Sequence, residues 1–106
     1  GGLVSVEDDK AETIPTGYYL YQNFPNPFNP ITTFKYQIPE LSFVTIKVFD
    51  ALGNEIATLV NEEKPAGSYK VEWDISAFGE EMASGVYFYK LQAGAFVETK
   101  KMVLVK

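Results

Sequence analysis

An all-β fold, an antiparallel two-sheet sandwich of about seven strands, is predicted by three features of the chain. Apolar and polar residues alternate with a period of two in successive stretches. Turn-forming residues interrupt those stretches at short intervals. No segment carries the spacing of an amphipathic helix.

Residues 1–17 hold Glu7, Asp8, Lys10, Asp9 and Glu12 without apolar periodicity, which reads as a linker from an upstream domain. Tyr18 to Tyr21 opens the ordered part, residues 18–106, as a short strand. Then comes Tyr21-Gln22-Asn23-Phe24-Pro25-Asn26-Pro27-Phe28-Asn29-Pro30, where three of the chain's 6 prolines stand close together. Each proline fixes its own φ and lacks a backbone donor, and each pushes the residue before it away from the helical region. The segment is therefore neither helix nor regular central strand. Its two rings, Phe24 and Phe28, are expected to pin it across one end of a core. Local capping of the loop is the expected role of Asn23, Asn26 and Asn29.

Thr32, Phe34, Tyr36 and Ile38 alternate with polar residues, and Pro39 closes that strand. Val44, Ile46 and Val48 form the buried face of the next, which ends at a turn over Asp50-Ala51-Leu52-Gly53-Asn54 with Gly53 in the left-handed position. Glu55 to Val60 is a short strand, and Asn61 to Gly67 reads as a polar connection. Tyr69, Val71 and Trp73 face inward, opposite Lys70, Glu72 and Asp74. The stretch from Ile75 to Ala83 is a loop that crosses between sheets. Gly85 to Ala93 is apolar on both faces, as in a central strand covered at one end by the proline loop. Gly94 turns the chain into a closing strand, Ala95 to Val105.

A chain of 106 residues hides roughly two thirds of its unfolded surface, so it folds as one domain without staples. With no cysteine and no histidine it has no disulfide, no thiolate nucleophile, no imidazole base and no common transition-metal ligand. None of the serines has a histidine to activate it, which excludes Ser–His hydrolysis. A net charge of −5 speaks against nucleic acid or an anionic membrane as partner. No apolar run approaches the ~20 residues needed to span a bilayer, and Gly1-Gly2-Leu3-Val4 is not a secretory leader. An exported protein would carry this chain as its downstream piece. Glu72 and Asp74, about 6.5–7 Å apart on one strand face, have a glycosidase-like separation but an open setting beside Lys70. Asp8, Asp9 and Glu12 lack the spaced ligands of a calcium loop. No cofactor, metal or small-molecule substrate is expected. The aromatic content of 15% raises one other class, a carbohydrate-binding or spacer module of a secreted hydrolase. That reading gains if Tyr18, Tyr19 and Phe43 form one exposed patch.

Four stretches carry a family resemblance: Leu20 to Pro30 with Ile31-Thr32-Thr33-Phe34, Asp50-Ala51-Leu52-Gly53, Ala83-Ser84-Gly85-Val86-Tyr87-Phe88-Tyr89-Lys90-Leu91, and Lys100-Lys101-Met102-Val103-Leu104-Val105-Lys106. In this order they resemble the type A C-terminal sorting domains of the type IX secretion system, from about Tyr18 to Lys106. These in turn are similar to the immunoglobulin-like domain of the flagellar hook-capping protein. The resemblance implies an immunoglobulin-like sandwich without catalysis. It would direct a multidomain protein through the periplasm to the cell surface or medium, and then be removed or serve as the point of surface attachment. The partners implied are the export machinery, its processing peptidase and an upstream domain of the same polypeptide. Asn23, Phe24, Pro25, Pro27, Phe28, Pro30, Asp50, Gly53 and Gly85 stand as the structural motif. Exporter contacts are expected at Lys100, Lys101, Val103, Val105 and Lys106, with inward positions among Met102 to Val105 holding the sheet. Read simply as an ordinary strand, the closing segment has a terminal lysine, Lys106, that keeps an exposed edge from pairing with another chain. Phe78 to Met82 is longer than the usual loop before Ala-Ser-Gly-Val-Tyr.

Overall fold

The computed structural model describes residues 14–77 and 82–106. The acidic stretch 1–13 and loop residues 78–81 lie outside the described residues. Seven strands follow in order: β1 (Tyr19–Leu20), β2 (Ile31–Ile38), β3 (Ser42–Phe49), β4 (Glu55–Lys64), β5 (Gly67–Asp74), β6 (Gly85–Ala93) and β7 (Phe96–Leu104). They form two sheets, ordered β1-β2-β5 and β4-β3-β6-β7, and every strand pair is antiparallel. The result is the antiparallel two-sheet sandwich of seven strands that the alternation predicts.

The period of two is realised as burial. Thr32, Phe34, Tyr36 and Ile38 of β2 face Val44, Ile46 and Val48 of β3 and Tyr87, Tyr89, Leu91 and Ala93 of β6 across the interior. Successive strand residues point to opposite sides, so one apolar set per strand fills the space between the sheets. The centre is aromatic: Phe34 of one sheet meets Tyr89 of the other at 4.6 Å between ring centroids. β6 lies between β3 and β7, the central place expected for it. Its second apolar set, Val86 and Phe88, is turned to the outer face instead, with Val86 exposed.

Asn61 to Lys64 is not a polar connection. β4 continues through it, pairing Glu63 with Phe43 and Asn61 with Thr45, and only Pro65 and Ala66 separate it from β5. An edge strand has one side of its ladder and one face in water, so a run of polar residues costs it little. Two register shifts along β4 blur its period further.

The proline stretch packs as expected at one of its rings and not at the other. Phe28 is 1% exposed and lies 6.3 Å from Trp73, whereas Phe24 is 77% exposed. Asn23, not a ring, takes the inward place, and alternation then sends Phe24 outward. Phe24 holds the loop by backbone alone, its N–H donating to Thr33 O at 3.0 Å and its C=O accepting from Thr33 N at 2.8 Å.

Asn23 does more than cap the loop. Buried to 2% exposure, it donates its backbone N–H to the Tyr89 hydroxyl at 2.8 Å and its Nδ2 to Thr32 Oγ1 at 2.9 Å and Pro25 O at 3.2 Å. Tyr89 in turn donates to Tyr21 O at 2.7 Å, and Thr32 donates to Pro25 O at 3.0 Å. Every member of this buried network has a partner, which is the condition under which such a network specifies one packing.

Burial pushes the hydroxyl pKa values of Tyr36 and Tyr89 up from 10.0 to about 12. Both residues therefore favour the fold fully below pH 10 and lose that contribution as pH rises toward 12, because the unfolded tyrosine ionises first. A titration followed by phenolate absorbance should find these two of the 7 tyrosines ionising together with alkaline unfolding. Tyr89→Phe should lower stability by about 1–3 kcal/mol, since it strands the buried Asn23 N–H. Ionisation of all tyrosines in a protein still folded by circular dichroism would contradict both expectations.

Candidate functional site

The resemblance-bearing segments, far apart in the chain, meet at one end of the sandwich. Phe49 of β3 pairs with Phe88 of β6, so the turn after β3 stands beside the start of β6. Asp50, Ala51 and Leu52 on one side and Ser84, Gly85, Val86 and Tyr87 on the other line a cleft of about 280 Å³. Leu104 of β7 pairs with Gly85, and beyond it Lys106 donates its backbone N–H to Ser84 Oγ at 2.9 Å. The proline loop arrives from the other sheet, with Phe28 N–H on Val103 O and Val105 N–H on Phe28 O, both at 3.0 Å.

The turn is held by a carboxylate. Asp50 Oδ1 accepts the N–H groups of Leu52 and Asn54, each at 2.9 Å, and Oδ2 accepts Asn54 Nδ2 at 3.2 Å. These donors, the Asn54 backbone first, hold the Asp50 carboxyl below the usual carboxylate range. Gly53 closes the turn at φ 92° and Gly85 opens β6 at φ 149°, both in the region that disfavours a side chain. A Cβ would meet nothing within 4 Å at either position, so the constraint is the backbone and not space.

Of the residues expected to meet an exporter, Lys101, Val103 and Val105 alternate onto the outer face of the sheet, and exposed Lys106 follows. Across that face Val103 stands opposite Val86, and Lys101 opposite Phe88. Val105 is 50% exposed and Leu52, at the lip of the cleft, 88%. The end of the sandwich therefore presents exposed apolar groups bordered by two lysines.

Lys100 does not belong to this group. It sits on the inward register with Met102 and Leu104, partly covered, and its Nζ lies 3.5 Å from the Glu98 carboxylate. Strand parity places Lys100 and Lys101 on opposite sides, which their adjacency in sequence conceals. The end of the β7 edge, expected to be kept from pairing by the terminal lysine, is covered by backbone and amide groups of another segment. The proline loop covers it, Asn26 Oδ1 accepting Val103 N–H at 2.9 Å and Gln22 Nε2 donating to Lys101 O at 2.8 Å. Gln22, Leu52 and Val86 joined the site unforeseen. Leu52 was signalled by its place in the resemblance-bearing stretch Asp50-Ala51-Leu52-Gly53 and by an apolar side chain at the tip of a tight turn.

The other candidates are arranged differently. Glu72 and Asp74 point outward from edge strand β5, and Ser76 donates to Asp74 Oδ1 from both Oγ and N–H, holding that carboxyl below its usual range. A general acid needs the opposite shift. Trp73, 5% exposed, is no sugar platform. Tyr18 stacks on Phe96 at 5.1 Å, Tyr19 pairs edge-on with Tyr21 on the outer side of β1, and Phe43 projects from the other sheet. Tyr18, Tyr19 and Phe43 therefore do not form one patch.

A family model described as "Secretion system C-terminal sorting domain" matches residues 22–106. Among solved structures, the crystal structure of dimeric latent PorU from Porphyromonas gingivalis is similar in fold, with a TM-score of 0.64 and 20% identity over 89% of this chain. The chain spans 10% of that protein's length. A comparison with curated proteins found no match.

Proposed function

The chain belongs to the secretion system C-terminal sorting domain family, and from that premise we propose how its type IX sorting signal is presented: the exporter reads the end of the sandwich where the family's segments converge. The family membership makes this chain a C-terminal sorting domain for export to the cell surface or medium. In the proposal, Lys101, Val103, Val105 and Lys106 make the contacts, with Leu52 and Val86 extending the apolar surface beside them. Phe28, Asn26, Asp50, Gly53 and Gly85 hold that surface in place. The domain works as an address and not as a catalyst. Its cargo is an upstream domain of the same polypeptide, joined through the linker of residues 1–17, and the pair crosses the periplasm before this domain is removed by a peptidase or kept as the point of surface attachment.

The observation that carries this reading is the single-sided placement of Lys101, Val103 and Val105 next to the Asp50–Gly53 turn. Residues needed only to fill the core would face inward, as Met102 and Leu104 do.

The test fuses the 106-residue chain behind a signal peptide and a reporter in a bacterium with type IX machinery. The intact fusion should reach the surface or medium. Lys101→Glu combined with Val105→Asp should leave the purified domain within about 0.5 kcal/mol of its parent stability, as exposed substitutions do, yet trap the reporter in the periplasm. Lys100→Glu is the contrasting variant, expected to be exported because its side chain lies on the other face. Retention of the intact folded fusion would sink the sorting role here, and normal export of the double variant would move recognition away from this face.

A further inference from the structure

The β7 edge is clasped along only half its length. Odd-numbered residues of this strand turn their backbone groups away from β6, and the proline loop takes the C=O of Lys101, both groups of Val103 and the N–H of Val105. The same outward groups at Val97 and Thr99, with the N–H of Lys101, have no partner among the described residues. Val97 is 52% exposed, and Thr99 and Lys101 are exposed as well. Such an edge is a template for another strand.

Charge selects which strand fits. A second copy can pair antiparallel with this edge in three neighbouring registers, centred on Glu98, Thr99 or Lys100. The first sets Glu98 against Glu98. The last sets Lys100 against Lys100 and drives Val97 onto Val103, whose N–H and C=O are already taken by Asn26 and Phe28. Like charges directly opposite one another disfavour pairing. Centring on Thr99 sets Glu98 of each copy opposite Lys100 of the other, twice over, and Val97 opposite Lys101. Glu98 and Lys100 already share a face within one chain, 3.5 Å apart, so pairing would join two ion pairs into an alternating four-charge cluster.

We propose that the open half of β7, Val97 to Lys101, is a self-association edge through which two copies of this chain pair antiparallel about Thr99. The ladder is short, so the association is weak and concentration-dependent. It leaves the outer-face group of Val103, Val105 and Lys106 uncovered, and its success or failure is independent of the export reading.

Because the chain has no cysteine, a single introduced thiol reports the register. Directly opposed hydrogen-bonded residues lie about 5.5 Å apart at Cα, inside the disulfide range of about 4.4–6.8 Å. Under mild oxidation Thr99→Cys should form a covalent dimer with itself. Val97→Cys should do so poorly alone but readily when mixed with Lys101→Cys. Ser68→Cys, exposed on the other sheet, sets the collisional background. In sedimentation, Glu98→Lys and Lys100→Glu should each weaken dimerisation roughly tenfold, and the double exchange, which keeps the intrachain ion pair, should restore it. Thr99→Cys cross-linking no faster than Ser68→Cys would overturn the proposal. So would a chain monomeric up to millimolar concentration, including one whose β7 edge is protected only by an exporter component.

Discussion

Phe28→Ala is expected to destabilise the domain by about 3–5 kcal/mol, while Phe24→Ala stays within about 0.5 kcal/mol of the parent. The two rings stand four residues apart in one stiff loop and look equivalent in sequence. Phe28 is buried to 1% exposure beside Trp73, and its backbone N–H and C=O tie the loop to β7. Truncating it opens a cavity where the two sheets and the loop meet, and slackens the cover over the edge of the closing strand. Phe24 is held by its backbone pairing with Thr33, which alanine retains. Urea unfolding of both variants, followed by circular dichroism, checks the contrast. Equal losses would mean that Phe24 also packs inward, and a mild effect of Phe28→Ala would mean that the loop is held by its backbone alone.

Trp73→Ala should likewise lose about 3–5 kcal/mol. Trp73 lies on an edge strand, where exposure is common, yet it points between the sheets with ring centroids 6.3 Å from both Phe28 and Phe34. Deleting it removes one aromatic neighbour from each of these two rings and leaves a gap that no small rearrangement of β-strands fills. Trp73→Phe should recover part of the loss by filling part of that volume. As the sole tryptophan, it also reports its own burial: native emission should be blue-shifted and move to the red on unfolding. Near-parent stability of the alanine variant, or red emission from the folded protein, would place the ring at the surface.

Much of this architecture is legible in the chain itself, because a strand's facing is a local property. The alternation from Thr32 to Ile38 and from Val44 to Val48, and the inward Tyr69, Val71 and Trp73, follow from two-residue periodicity alone. So does the Asp50–Gly53 turn, since Asp and Gly there satisfy local donors and a positive φ. What the sequence could not settle are the edges. Strand β4 runs on through Asn61 to Lys64 because its ladder partner in β3 is far away in the chain, and water on its open side tolerates the polar run. Phe24 and Phe28 differ because Asn23 finds Tyr89 across 66 residues. Lys100 and Lys101 part company because the register with β6 decides which of them faces in. Tertiary pairing made these choices. Adding a strand or loop to an edge depends on backbone groups, which every residue but proline carries, and side-chain pattern says nothing of where those groups find partners.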